Sequence, residues 1–242
     1  MRSTGCTPIE VPSILLSNHP GQGRIAGQTI DPALIKEILQ TLEANGWLAE
    51  VSAVLSGYLP TPAHVDAMRA AVEHVKRLNP AAIYVCDPIL GDDPRGLYIA
   101  EAAACAIRDT LLPLADVATP NRFELSWLSG RPVHSVHEAE AAASLVRAPV
   151  LVATSIPEGK DRLATLCFAQ GTRTSRSLER KPRVAHGTGD LLAALFTGHL
   201  AQGCDAATAF SHAHAALETV IARSGSFDLL ALSPLTTAAA AP

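Results

Sequence analysis

A glycine-rich segment near residue 187 combines the groups that phosphoryl transfer requires. It reads Gly187-Thr188-Gly189-Asp190 and runs into an apolar helical pattern over residues 191–200. Glycines let the backbone approach a ligand closely, and the free N–H groups of a helix start bind anions with the help of the helix dipole. Asp190 is placed to take a proton from an attacking hydroxyl. The segment predicts an anion hole beside a general base; the alternative is a glycine turn with an ordinary first-turn acid.

Two acidic residues follow candidate strands further upstream. Asp87 comes directly after the apolar run that ends at Cys86, and Glu124 follows the run that ends near Ala118. Ligands of open α/β sheets bind beyond the carboxyl ends of the strands, so Asp87 is placed to hold Mg²⁺ through water and Glu124 to face phosphates. The alternative at Asp87 is an Asp-Pro turn, while Glu124 also has the spacing of a capping box with Asn121, which does not exclude it from facing the phosphates.

Three more candidate strands end in polar or aromatic groups. Thr154 and Ser155 offer oxygens to a phosphate or a monovalent cation. His19 and Tyr58 follow two earlier strands, and Tyr58 is suited to stack on a flat ring. Each place is alternatively a plain turn. Five successive candidate strands end in such groups, and the Gly-Thr-Gly-Asp segment follows the last of them. Unrelated turns would not be expected to place polar groups in this regular order along the chain.

The elements that would position these groups alternate along the chain. We predict strands at residues 13–16, 52–56, 82–86, 116–118, 150–154 and 164–169. We predict helices at residues 32–44, 63–78, 97–111, 122–128, 136–147, 188–202 and 205–223. Alternation of strands and helices is typical of βαβ units, so the sequence predicts an α/β fold with a mostly parallel sheet.

The composition is that of one globular domain. Of the 242 residues, 48% are hydrophobic and 17% are charged, which predicts a single domain over residues 1–242 with a frayed tail at 235–242. The net charge of −4 argues against a dedicated nucleic-acid binder. No apolar run is long enough for a membrane span, and the N-terminus lacks a signal-peptide core, so we expect a cytoplasmic protein by default.

Several familiar site types are absent from the sequence. There is no P-loop and no nucleophile elbow, and the glycines of residues 21–27 are spaced one residue too wide for a dinucleotide fingerprint. The five cysteines contain no Cys-x-x-Cys pair, so we expect free thiols rather than disulfides or a zinc knuckle. Two close histidine pairs fit no zinc spacing with certainty and are interpreted as solvated: His134 with His137, and His212 with His214.

Taken together, the motifs resemble those of the pyridoxal kinases in the ribokinase-like superfamily. The matching segments lie in family order at residues 17–19, 55–58, 84–91, 115–125, 128–131 and 186–190. The Gly-Thr-Gly-Asp element is shared across the superfamily, while the segments at 55–58, 84–91 and 115–125 point to the vitamin B6 kinases. The resemblance implies a three-layer α/β/α ribokinase-like fold and transfer of the ATP γ-phosphate to the 5′-hydroxymethyl group of pyridoxal, pyridoxine or pyridoxamine.

The resemblance also implies roles in catalysis and substrate binding. Asp190 would be the base, and Gly187, Thr188 and Gly189 would form the anion hole. Tyr58 and His19 would border the pyridine ring, next to the hydroxyl group that Asp190 deprotonates.

For the metal ions and the nucleotide, the resemblance implies a second set of residues. Asp87 and Glu124 would serve Mg²⁺, and Thr119 would lie by the phosphates or a potassium or sodium ion. The segment 172–185 would lie near ATP, and the residues implied in nucleotide binding are Asn121, Thr154, Ser155, Arg183, Gly187 and Gly189. The family is usually dimeric, so the resemblance implies a homodimer whose other partners are ATP and a B6 vitamer.

The N-terminal part departs from the family pattern. Family members begin with a strand followed by a helix, whereas this chain lacks that strand and starts near the end of the helix, so we expect residues 1–10 to be the remnant of the helix. Either Met1 is an internal methionine of a longer reading frame, or the protein is shortened and its substrate pocket lacks one wall. Pro20 also departs, because many relatives have a threonine after the histidine. Two alternative functions stay open: a hydroxymethylpyrimidine kinase, and a truncated homologue that binds nucleotide or vitamin without turnover.

Overall fold

The computed structural model describes residues 1–181, 184–225 and 230–232. Its strands are β1 (Ile14–Leu16), β2 (Gly27–Thr29), β3 (Ala53–Ser56), β4 (Ile83–Cys86), β5 (Gly91–Asp92), β6 (Gly96–Leu97), β7 (Val117–Ala118), β8 (Val150–Glu158), β9 (Arg162–Ala169) and β10 (Thr172–Glu179). Its α-helices are α1 (Pro32–Ala44), α2 (Pro62–Leu78), α3 (Glu101–Ala106), α4 (Arg122–Ser129), α5 (Val136–Ala143), α6 (Thr188–Ala201) and α7 (Ala206–Ser224).

Six of the strands form the central sheet, in the order β10-β9-β8-β7-β4-β3. The strands β3, β4, β7 and β8 run parallel, and β9 and β10 extend the sheet as an antiparallel ribbon. Gln170 and Gly171 join β9 to β10 with φ values of 52° and 73°, as a primed hairpin turn requires. The predicted α/β fold with a mostly parallel sheet is confirmed.

The core lies on both faces of this sheet. Tyr84 and Cys86 of β4 pack on one face under α2 to α5, and Val85 between them packs on the other face under α6 and α7. Phe196 and Phe210 are fully buried in the second cluster, and burial of each contributes about 1.5–3 kcal/mol. Two helical layers therefore enclose the sheet, as the resemblance implied.

Three predicted elements differ from the structure. The strand at residues 13–16 forms, but β1 pairs with β2 in a separate antiparallel sheet instead of joining the central one. The helix predicted at 97–111 begins only at Glu101, because Leu97 pairs with Gly91 in a β5–β6 hairpin. The helix predicted at 136–147 ends at Ala143, because its last turn tightens ahead of a proline.

Other sequence predictions have mixed outcomes. All five cysteines are free, as expected. His214 is buried rather than solvated, with 1% of its surface exposed. The predicted tail at 235–242 lies outside the described residues, and the prediction of one kinase domain over residues 1–242 stays a prediction. Within the described ranges, no helix is both long and apolar enough to cross a membrane.

Candidate active site

The carboxyl ends of the parallel strands meet at one edge of the sheet, where backbone hydrogen bonds continue into the loops. The Asp87 amide donates to the Ser56 carbonyl at 3.1 Å, and the Thr119 amide donates to the Cys86 carbonyl at 3.1 Å. The Thr154 amide donates to the carbonyl of the residue before Asn121 at 3.0 Å. Because these bonds fix the loops to one another, Asp87, Thr119 and Thr154 lie along one rim, as the sequence predicted.

Glu124 ties two of these loops together. Its Oε2 accepts from the Asn121 amide at 2.8 Å, and its Oε1 accepts from the amides of Leu90 at 2.8 Å and Gly91 at 3.5 Å. The side chain is 3% exposed, and this burial raises the pKa of the carboxyl to about 7, although the backbone donors oppose the rise. The capping box and the position at the site coexist, so the two alternatives for Glu124 are not exclusive.

Asn121 completes the capping box and is largely used by the fold. Its Oδ1 accepts from the Glu124 amide at 3.0 Å, and its Nδ2 donates to the Gly91 carbonyl at 2.8 Å. One Nδ2 hydrogen and the second lone pair of Oδ1 are left for a nucleotide, so the predicted role of Asn121 near ATP would depend on these two groups. Its main effect in the structure is to hold the loop after β4 against the start of α4.

The loop that Glu124 holds has a strained backbone. Ile89 has a φ of 42°, which is rare for a β-branched residue and has an energetic cost of about 1–3 kcal/mol. Gly91 is also required, because a Cβ there would lie 2.1 Å from the Gly96 carbonyl oxygen. The hydrogen bonds to Glu124 therefore stabilise a loop shape that the chain would not adopt alone.

Three carboxyl groups influence one another at this rim. Burial, followed by the negative charges of Glu124 and Asp190, raises the pKa of Asp87 well above its usual value. The buried Thr119 hydroxyl lies close enough to Asp87 to oppose this rise, but among the described residues it has no partner of ordinary hydrogen-bond geometry. A cation would compensate both features. The oxygen donors and the unpartnered hydroxyl therefore fit Mg²⁺.

The Gly-Thr-Gly-Asp segment forms the predicted helix start. Gly187 precedes α6 with a φ of 89°, and the first helical bond runs from the Leu191 amide to the Gly187 carbonyl at 2.9 Å. The N–H groups of residues 188–190 precede that bond and point out of the helix start, which is how helices bind anions. Asp190 keeps an exposed side, while burial around the rest of the carboxyl raises its pKa and the nearby His19 opposes the rise.

His19 reaches this helix start from the loop after β1. Its ring stacks on His186 with the centroids 4.1 Å apart and the planes 13° from parallel, and its Nδ1 accepts from the Gly21 amide at 3.1 Å. A Cβ on Gly21 would lie 2.8 Å from Nε2 of His186, so the loop needs glycine to approach. His19 is thus beside Asp190, although its strand is not part of the central sheet.

Sequence reasoning missed two residues of the site, His186 and Arg95. His186 directly precedes the Gly-Thr-Gly-Asp segment, but only the fold brings it against His19. Arg95 lies on the exposed turn of the β5–β6 hairpin. Burial, His186 and Arg95 lower the pKa of His19, while Asp190 raises it. The only sequence signal for Arg95 was its position shortly after Asp87.

The other predicted residues are placed as follows. Thr154 forms an isolated bridge with Asn121, and Ser155 follows at a bulge of β8 with a φ of 60° and an exposed side chain. Tyr58 follows β3, and its side chain packs against the core under α2 to α5. Arg183 lies outside the described residues. The segment predicted to lie near ATP contains β10 at the sheet edge, which the sequence analysis did not predict.

Comparison with known proteins identifies the family. The profile of the phosphomethylpyrimidine kinase family matches residues 3–230. The chain belongs to this family. A pyridoxal kinase of Corynebacterium diphtheriae is 33% identical over 207 residues, which cover 83% of this chain and 73% of the relative.

Solved structures of the family have the same fold. Pyridoxal kinase from Entamoeba histolytica matches with a TM-score of 0.85 and 27% identity, covering 93% of this chain and 82% of that one. Pyridoxal kinase from Leishmania donovani in complex with ADP and pyridoxine matches with a TM-score of 0.85 and 30% identity, covering 92% and 78%. The resemblance to pyridoxal kinases that the motifs indicated is confirmed.

Proposed function

We propose that this chain is a pyridoxal kinase, which transfers the γ-phosphate of ATP to the 5′-hydroxymethyl group of pyridoxal and also accepts pyridoxine and pyridoxamine. The observation that carries the proposal is the placement of Asp190 in the first turn of α6, beside free backbone N–H groups and the rim that holds Asp87 and Glu124. The names of the relatives, and the ADP and pyridoxine bound to one of them, supply the substrate class.

The residues of the helix start perform the central step. The N–H groups of Gly187, Thr188 and Gly189 bind the phosphoryl oxygens as negative charge spreads over them. Asp190 accepts the proton of the substrate hydroxyl while that oxygen bonds to the γ-phosphorus and the bond to the ADP oxygen breaks. The raised pKa of Asp190 makes it a stronger base than an exposed aspartate.

The segments that carry Asp87, Thr119 and Glu124, called the carboxyl rim from here on, would bind the phosphate groups of the nucleotide. Asp87 and Glu124 would hold Mg²⁺ directly or through water, and the ion would neutralise phosphate charge. Thr119 would contact the phosphates or a potassium or sodium ion, and Thr154 and Ser155 would contact ATP. The charge of Arg95 also acts on His19 from the side of the β5–β6 hairpin.

The remaining proposals concern substrate binding, cellular location and oligomeric state. Tyr58 and His19 border the pyridine ring, and the stack on His186 fixes the ring of His19. The enzyme works in the cytoplasm as a homodimer. These assignments follow the motif match and the position of the residues at one edge of the sheet.

The test is ATP-dependent formation of pyridoxal 5′-phosphate by the 242-residue chain, with hydroxymethylpyrimidine as the comparison substrate. Phosphorylation of pyridoxal at the higher kcat/KM supports the proposal. A higher kcat/KM with hydroxymethylpyrimidine, the alternative that the sequence analysis left open, would reassign the enzyme. Calorimetric binding of ADP without product from either substrate would instead support the non-catalytic homologue.

A further inference from the structure

Two histidines and a cysteine meet at the junction of α6 and α7, at the opposite end of α6 from the candidate active site. The ligand atoms of His199, Cys204 and His212 all lie within 4.8 Å of one another. The two histidine rings are 5.1 Å apart between centroids and meet edge to face at 64°. His199 is 12 residues beyond Gly187 along the chain, which separates the two places by about 18 Å along the helix.

An ordered connection between α6 and α7 brings these side chains together. After α6 ends, Gly203 takes a φ of 86° and the Cys204 amide donates to the His199 carbonyl at 3.1 Å. Asp205 then caps α7 through a bond from the Thr208 amide at 2.9 Å. The two helices pack against each other in the core, so His212, two turns into α7, returns beside His199.

The ligand set selects a class of metal. Two imidazoles and one thiolate suit zinc, whereas Mg²⁺ prefers oxygen ligands. Ligand atoms of tetrahedral zinc lie about 3.3–3.6 Å apart, which follows from the usual zinc bond lengths. The 4.8 Å limit is about 1 Å wider than these distances, so small side-chain movements would bring the three ligand atoms to zinc-binding distances.

We propose that His199, Cys204 and His212 form a zinc-binding site with water in the fourth position. The spacing His-x4-Cys-x7-His contains no short paired motif, which explains why the sequence analysis predicted no zinc site. Bound zinc would join the end of α6 to α7, and both helices belong to the layer that carries Asp190. The site is independent of the proposed kinase activity, because none of its ligands lies at the carboxyl rim.

The test is a titration of the metal-free chain with Zn²⁺ and with Co²⁺ in excess Mg²⁺, which occupies the carboxyl rim. We expect one Zn²⁺ per chain, and a Co²⁺ complex with the thiolate charge-transfer absorption that only a cysteine ligand gives. Cys204→Ser should abolish that absorption, and His212→Gln should weaken Zn²⁺ binding by at least about 10-fold, since even the loss of outer-shell partners has effects of 10–100-fold.

Matched controls are Cys105→Ser and His137→Gln, which remove a cysteine and a histidine outside the group. Both controls should bind Zn²⁺ and Co²⁺ as the unchanged chain does. Without metal, Cys204→Ser should give the same circular dichroism spectrum and thermal unfolding curve as the unchanged chain. A loss of metal binding by this variant would then not be due to unfolding. Binding that is absent, or that persists equally in Cys204→Ser and His212→Gln, overturns the proposal.

Discussion

At the scale of single residues, the carboxyl of Glu124 has two roles. Its oxygens accept three backbone N–H groups and so hold the strained loop at Ile89. The same group is one of three acids at the rim, where phosphates and Mg²⁺ are proposed to bind. The backbone donors and a bound Mg²⁺ favour the ionised form, whereas burial favours the protonated form, so the protonation state of Glu124 links loop shape to ligand binding.

This coupling predicts a pH-dependent effect of Glu124→Gln on folding. The native carboxyl has a pKa of about 7 and the unfolded one about 4.5, so the native state binds more protons between these values. Stability from this group is therefore full below about pH 4.5 and falls by about 3 kcal/mol as pH rises through 7. Urea unfolding at pH 5 and pH 8 should show that the substitution destabilises more at pH 5. An equal difference at both pH values would contradict the shift.

Asp190→Asn tests the base directly. The variant keeps the size of the side chain but cannot accept the proton, so kcat should fall by a factor of about 10²–10⁴. The Kd for ADP should stay close to that of the unchanged chain, because backbone N–H groups make the anion hole. Asp109→Asn, at an exposed acid paired with Arg108, is the control and should retain full turnover. Near-normal turnover of Asp190→Asn would remove it from the role of base.

At the scale of elements, short loops rather than helices complete the candidate site. The stack of His19 on His186 joins the loop after β1 to the start of α6. The β5–β6 hairpin and the start of α4 enclose the strained loop from the other side. Disturbing either contact should change the site without unfolding the core.

His186→Ala should loosen the loop that carries His19. A stacked ring pair contributes about 0.5–1.5 kcal/mol, so KM for pyridoxal should rise about 2- to 12-fold while kcat changes less. Steady-state kinetics with varied pyridoxal measure this, and His137→Ala on the outer side of α5, with its side chain 94% exposed, serves as the control. A fall in kcat with unchanged KM would mean that His186 acts in the chemical step instead.

Gly91→Ala should destabilise the β5–β6 hairpin by overpacking. The new Cβ would lie 2.1 Å from the Gly96 carbonyl oxygen and 2.8 Å from Cε1 of Phe123, and such overpacking costs about 1–3 kcal/mol. Thermal unfolding should show a lower Tm than for Gly96→Ala, which has open space but a left-handed backbone that costs about 1–2 kcal/mol. Equal Tm values for the two variants would show that the hairpin shifts to make room for the new Cβ at position 91, which would contradict the predicted overpacking.

At the scale of the whole molecule, local patterns predicted most of the fold. The helix at 32–44 was predicted at its observed bounds, because Asp31 and Pro32 mark its start, and the buried parallel strands appeared as apolar runs. β10 was missed because its exposed Thr, Arg and Ser residues look like a loop. The stack of His19 on His186 and the bond from the Leu90 amide to Glu124 could not be predicted, because these partners lie far apart in sequence and only the assembled fold brings them near.

The antiparallel ribbon of β8, β9 and β10 has a consequence for the order of folding. Its strands are joined by short turns, so their pairing closes small loops and has low contact order, and such hairpins form in about 1–10 μs. The parallel strands β3, β4 and β7 are separated by helices and must close longer loops first. We therefore expect the ribbon to pair before the parallel strands assemble on it, so that Thr154 would be in place before the loops around it.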